Sequence, residues 1–164
     1  MQNVMKKALS YILPEIAAEA HCDVPCGIYD PTAAKIAAMT VLRMVMQMNE
    51  IKLPESGDAH ASAAYTAMIV RRIAVKEEHA ALCKKELLTL WTDFFKQEHL
   101  ARAPGLHDMI WRAAKLCSVN KQAVDEEHAR ELVSAVDDVA RMFYEIKGVP
   151  ERYAAYRALT EKLF

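Results

Sequence analysis

The sequence predicts an all-α protein: a four-helix bundle with an N-terminal metal-binding hook and a short C-terminal tail helix. Three observations predict it. Helix formers such as Ala, Leu, Met, Lys and Glu dominate and turn formers are scarce, with 4 Gly and 6 Pro in 164 residues. Apolar residues, 53% of the chain, recur at helical spacing after residue 31 without strand-like alternation. Breakers cluster at few places, residues 53–58, 103–105 and 148–150, leaving long segments joined by short connections. A chain of this length supports one domain with a real core. Its formal net charge of -1 offers no overall field for nucleic acid or an anionic membrane surface. No segment reaches the ~20 apolar residues of a transmembrane helix. Small molecules and protein partners stay open.

Residues 1–20 read as a cleavable leader. Lys6 and Lys7 precede a short apolar run, and Ala18-Glu19-Ala20 before His21 fits a small-x-small cleavage signal. Pro14 and Glu15 cut the apolar run below the ~7 to 15 residues of an export signal, so a peptidase other than the general signal peptidase is the expected partner. Residues 21–31 form the hook. Asp30 and Pro31 then start the first helix, Asp as N-cap and Pro at the first helical position.

That helix is expected over 32–48. Ile36, Ala37, Met39, Val41, Leu42, Met44, Val45, Met46 and Met48 surround most of its circumference, leaving mainly Arg43 and Gln47 polar, which suggests a subunit interface. The second helix is expected over 59–99, where Ile73, Ala80, Leu87 and Phe94 repeat at seven, with Ile69, Cys83 and Leu90 on the adjoining seam. Leu106, Met109, Ile110, Ala113, Leu116 and Cys117 mark a short third helix, followed by a connection over 118–123. The fourth, over 125–147, carries Ala129, Leu132, Val133, Val136, Val139, Ala140 and Phe143 on one stripe. The tail, 148–164, is expected to dock through Tyr153, Tyr156, Leu159 and Leu163. Asp137, Asp138, Glu126, Glu127, His60, His99, His107 and His128 are expected to be solvated surface. Cys22 and Cys26 are too close to close a useful loop and Cys83 and Cys117 fall inside helices, so free thiols in a reducing cytoplasm are expected.

The chemistry concentrates in the hook. His21, Cys22 and Cys26 place an imidazole and two thiols within six residues, with Pro25 favouring a turn and Gly27 allowing the exit. Two thiolates with two nitrogens suit zinc if tetrahedral, and copper or nickel if planar. If the chain were cut before His21, the new α-amine and the Cys22 backbone nitrogen would join the donor set. Amide ligation favours nickel or copper over zinc, and thiolate with amide donors makes a one-electron redox cycle chemically reasonable.

The run His-Cys-Asp-x-Pro-Cys-Gly-x-Tyr-Asp-Pro over 21–31 resembles, nearly letter for letter, the nickel hook of nickel-containing superoxide dismutases. Val75-Lys76-Glu77, Leu90-Trp91-x-Asp93-x-Phe95-Lys96, Leu106-His107 and Phe143-Tyr144-Glu145-x-Lys147 follow in family order. The resemblance implies a hexamer of four-helix subunits and dismutation of superoxide by a Ni(II)/Ni(III) cycle. It implies nickel held by the His21 amine and imidazole, the Cys22 backbone nitrogen and thiolate, and the Cys26 thiolate. Tyr29 then closes the pocket over the open face and orders water, and Asp23 belongs to the same loop. Two departures stand out. Ala37 replaces a glutamate that supports the axial imidazole, and His79 replaces that glutamate's arginine partner. Joint loss avoids the ~3 to 5 kcal/mol of a broken buried pair, and His79 of a neighbouring subunit is the expected alternative support. Phe94 replaces a second tyrosine near the pocket. The rival expectation is a non-catalytic nickel- or copper-handling or thiol-sensing helical protein that keeps the hook.

Overall fold

Helix α1 (Thr32–Glu50) begins as its sequence suggests. In the computed structural model, which describes residues 27–55 and 57–164, Asp30 Oδ1 accepts the Thr32 amide at 2.9 Å and also the Thr32 hydroxyl. Pro31 already has helical backbone angles, φ -76° and ψ -3°, so the cap and first-turn roles fall on the expected pair. The leader and the hook residues His21, Cys22, Asp23, Pro25 and Cys26 lie outside the described residues.

Helix α2 (Ala59–Thr89) is capped by Asp58, whose Oδ1 accepts the Ala61 amide at 2.9 Å. The expectation of one helix over 59–99 is corrected here. A single π turn (Leu90–Phe94) ends it, closed by the Phe95 amide donating to the Leu90 carbonyl at 3.0 Å, and a 3₁₀ turn (Gln97–Ala101) follows. The wide turn leaves Phe95 buried in the core and Phe94 half-buried against it.

Helix α3 (Leu106–Gln122) outruns the expected connection over 118–123. Lys76, 1% exposed, reaches from α2 to its C-terminal end and donates to the carbonyls of Asn120 (2.5 Å), Lys121 (3.1 Å) and Ala123 (2.7 Å). Carbonyls that would otherwise need water are thereby satisfied. Helix α4 (Glu126–Lys147) starts at Asp125, which accepts the His128 amide at 3.0 Å. Gly148, at φ 79°, ends it in a Schellman turn: Gly148 donates to the Glu145 carbonyl and Val149 to that of Tyr144.

The four sides of the bundle are α1 on α2, α2 on α3, α3 on α4 and α4 on α1. Neighbours are antiparallel. Trp91 near the end of α2 meets His107 at the start of α3, and Asn120 near the end of α3 meets the His128 carbonyl at the start of α4. The core is the one written in the periodic residues: Val41, Leu42, Val45, Ala80, Leu87, Leu106, Ile110, Leu132, Val136, Val139 and Phe143 are all buried. Cys83 of α2 and Cys117 of α3 are free and wholly buried. The neighbouring Cys117 thiol, with burial, pushes the Cys83 thiol well up. No strand occurs among the described residues, and none of their helices is long and apolar enough to cross a membrane.

Two further expectations fail. Asp137 is not solvated: it is 5% exposed, with Lys35 Nζ at 2.7 Å, Arg157 at 2.6 Å and the Tyr156 hydroxyl at 3.1 Å. The tail helix α5 (Arg152–Ala158) docks through Tyr156, Tyr153 and the following Thr160, while Leu159 and Leu163 stay exposed. Tyr156 and Arg157 of the tail bond the buried Asp137 carboxylate and the Tyr156 ring packs on Tyr144, so the tail docks through a polar contact as well as its rings.

Candidate metal centre

The described part of the site is the stem of the hook, residues 27–31. Gly27 has φ 68°, a left-handed backbone that suits glycine, which fits its expected role at the exit of the loop. Tyr29 is half-buried, its ring 5.9 Å from that of Phe94, which packs at 4.4 Å on Phe143 of α4. The Tyr29 carbonyl accepts from Lys147 Nζ at 3.0 Å. One residue on, Asp30 Oδ2 accepts the Tyr144 hydroxyl at 3.0 Å. Two side chains three positions apart on α4 therefore grip consecutive residues of the stem.

The charge state of the stem follows from these partners. Burial alone would push the Asp30 carboxyl up, but the Thr32 and Tyr144 bonds and the Arg152 charge bring it below its ordinary value. Tyr144 moves the other way, to about 12, through burial and the adjoining Asp30 carboxylate. The hydroxyl stays a donor and the carboxylate stays an acceptor at neutral pH.

The structure tests whether another part of the chain competes as the metal site. Among the described residues no group of three or more His, Cys, Asp or Glu could hold an ion. His99 Nδ1 accepts the Lys96 amide at 3.1 Å, and His107 Nδ1 accepts the Trp91 indole N–H at 2.8 Å. Both expected surface histidines thus have structural partners. His79 Nδ1 lies 2.9 Å from the Val75 carbonyl of its own helix, and Ala37 is 1% exposed in the core. A carboxylate at position 37 would be buried and would need a paired cation there. Cys83 and Cys117 are buried core thiols outside any such group. In the sequence His21, Cys22 and Cys26 immediately precede the stem, and an imidazole with two thiols is a soft donor set that fits nickel.

The profile of the family described as nickel-containing superoxide dismutase matches residues 16–147. The chain belongs to the nickel-containing superoxide dismutases. The superoxide dismutase (Ni) of Streptomyces seoulensis is 31% identical over 134 residues, 82% of this chain and 93% of the relative. That of Streptomyces coelicolor is 30% identical over the same shares. A native nickel superoxide dismutase structure, 29% identical, aligns over 77% of this chain and 99% of its own with a TM-score of 0.67. One with nickel ligation of the oxidised state, 30% identical, aligns over 78% and 99% with a TM-score of 0.68. As a nickel-containing superoxide dismutase the chain has superoxide dismutation as its reaction and nickel as its cofactor. The rival, a metal-handling or thiol-sensing protein, gains no support.

The sequence did not reveal the clamp on the stem. Tyr144 and Lys147 were visible as members of a family-ordered run, but their partners lie 114 and 118 positions away. Helical spacing carries no signal across that separation.

Proposed function

We propose that this nickel superoxide dismutase is built as a precursor that becomes active when the peptide bond before His21 is cut. The observation that carries the reading is the place of the donor run. His21, Cys22 and Cys26 immediately precede a stem that is capped, packed and gripped from α4, so donors exposed by cleavage would sit at a fixed point on a rigid bundle. Before cleavage the His21 nitrogen is an amide bonded to Ala20; afterwards it is an amine able to donate with the imidazole, the Cys22 nitrogen and the two thiolates.

Bound nickel supplies the one-electron couple by which one superoxide is oxidised to dioxygen and a second, taking up two protons, is reduced to hydrogen peroxide. The protein's part is positional. Tyr29 would close the open face and order water, held by its carbonyl bond to Lys147 and by the Phe94 ring. Phe94 has no hydroxyl, so any polar contact the family's second tyrosine makes there is replaced by packing alone. Asp23 and Pro25 would shape the loop, and Gly27 its exit. His79 from a neighbouring subunit remains the proposed support for the His21 imidazole; His79→Ala that leaves the nickel spectrum and activity unaltered would remove it from the site.

Assembly into a homohexamer is part of the proposal, supported by Ile36, Met68 and Val70 standing 44%, 42% and 56% exposed on α1 and α2. A cytoplasmic location is supported by the free, closely facing Cys83 and Cys117. The deciding experiment loads nickel into the full chain and into the chain starting at His21, then follows superoxide decay. Activity is expected only in the second. Equal activity in both would overturn the terminal-amine mechanism.

A further inference from the structure

The family match ends at residue 147, yet α5, which lies beyond it, packs on the residue that grips the stem. We propose that Tyr144 is a positioning residue for the hook and that the tail helix, through Arg152 and Tyr156, holds Tyr144 in place.

The chain of contacts is continuous. Asp30 caps α1 with one carboxylate oxygen and accepts the Tyr144 hydroxyl with the other, so its orientation is set from both sides. Tyr144 is itself 2% exposed. Its ring has the Arg152 guanidinium at 6.0 Å and the Tyr156 ring at 5.8 Å, tilted by 62°. The Schellman turn brings these residues there: the Val149 amide bonds the Tyr144 carbonyl at 3.0 Å, turning the chain back so that α5 starts beside Tyr144. Tyr156 is anchored in turn, its hydroxyl donating to Asp137 at 3.1 Å, and Asp137 is paired with Lys35 of α1. The tail thus ties the ring that orients Asp30 to a buried ion pair in the bundle.

Stem orientation matters because a redox metal site tolerates only fractions of an ångström of misplacement, and Asp30 follows Cys26, the last of the proposed donors, by four positions. The proposal rests on the hook reading given above.

The test uses Tyr144→Phe, which keeps the ring and removes the hydroxyl, and a chain ending at Pro150. In the full chain without nickel, hydrogen exchange over residues 27–35 reports the stem, because Asp30 holds the Thr32 amide. In the chain starting at His21, nickel release to a chelator and the paramagnetic resonance pattern of the oxidised metal report the site. Both variants are expected to speed stem exchange and nickel release by roughly threefold to tenfold, the worth of one hydrogen bond, and to alter the resonance pattern, with the helical content of the bundle unchanged. Arg152→Lys should lie closer to the unaltered chain than Arg152→Ala, which keeps the proposal testable if the shortened chain fails to fold. Unchanged stem exchange in Tyr144→Phe would overturn it, as would faster exchange with unaltered nickel release. Absence of nickel binding in the unaltered chain starting at His21 would overturn the hook reading itself, and the proposal with it.

Discussion

Asp30 joins local structure to the site at the scale of one side chain. Its two oxygens serve a cap and a long-range bond, and its pKa lies below the ordinary value because bonds and the Arg152 charge outweigh burial. A carboxylate with a lowered folded-state pKa contributes stability that is fully present above its unfolded value and is lost as pH falls through the folded one. Asp30→Asn keeps a capping oxygen and removes the charge. Its melting temperature should therefore lie below that of the unaltered chain at neutral pH, with the gap closing below the ordinary carboxylate pKa. Thermal unfolding followed from about pH 7 to about pH 2 checks this; a gap that does not depend on pH would show that the charge adds nothing. Ala37 is the complementary case: buried at 1%, it asks for no partner where a carboxylate would.

At the scale of elements, Lys76 decides where α3 ends. Its ammonium, wholly buried, has three backbone carbonyls as acceptors, and burial lowers its pKa. Lys76→Met keeps the aliphatic stem and strands those carbonyls, a loss expected to be about 2 to 3 kcal/mol, or roughly 5 to 10 °C in melting temperature. The last turn of α3 should then exchange its amides faster while its first turn does not. A uniform change, or none, would mean that water replaces the ammonium without cost. The same residue shows what the sequence could express. Helix existence was legible because 3.6-residue periodicity is written locally, and Ile110, Cys117, Leu132 and Phe143 are buried as that pattern required. Helix ends were less legible: Lys76 acts across 44 to 47 positions, and the π turn at Leu90 depends on how Phe94 and Phe95 pack. The proposed donors form a local pattern for the opposite reason, since His21, Cys22 and Cys26 are neighbours in the chain. Tyr144 and Lys147, which grip the stem after them, are distant in sequence.

At the scale of the molecule, Asp137 is the point where α1, α4 and the tail meet. Lys35 and Asp137 side chains are 3% and 7% exposed, and Arg157 and Tyr156 complete the carboxylate's shell from α5. Burial and the neighbouring charge together push the Tyr156 hydroxyl far up, so it remains a donor. Sequence alone set this carboxylate on the surface because adjacent Asp137 and Asp138 cannot share a helix face; the apolar stripe of α4 puts Asp137 at its edge, but its partners Lys35 and Arg157 lie on other helices. Removing the partner of a buried charge is costly, whereas replacing both by apolar groups need not be. Asp137→Leu should therefore destabilise the chain by about 3 to 5 kcal/mol, about 10 °C or more, and release the tail to proteolysis. Adding Lys35→Met should return a large part of that loss, with a coupling of roughly 2 kcal/mol or more in the double-mutant cycle. Additive losses would show that Lys35 finds water once Asp137 is gone. The tail would then be held by its aromatic packing on Tyr144 and not by the buried charge.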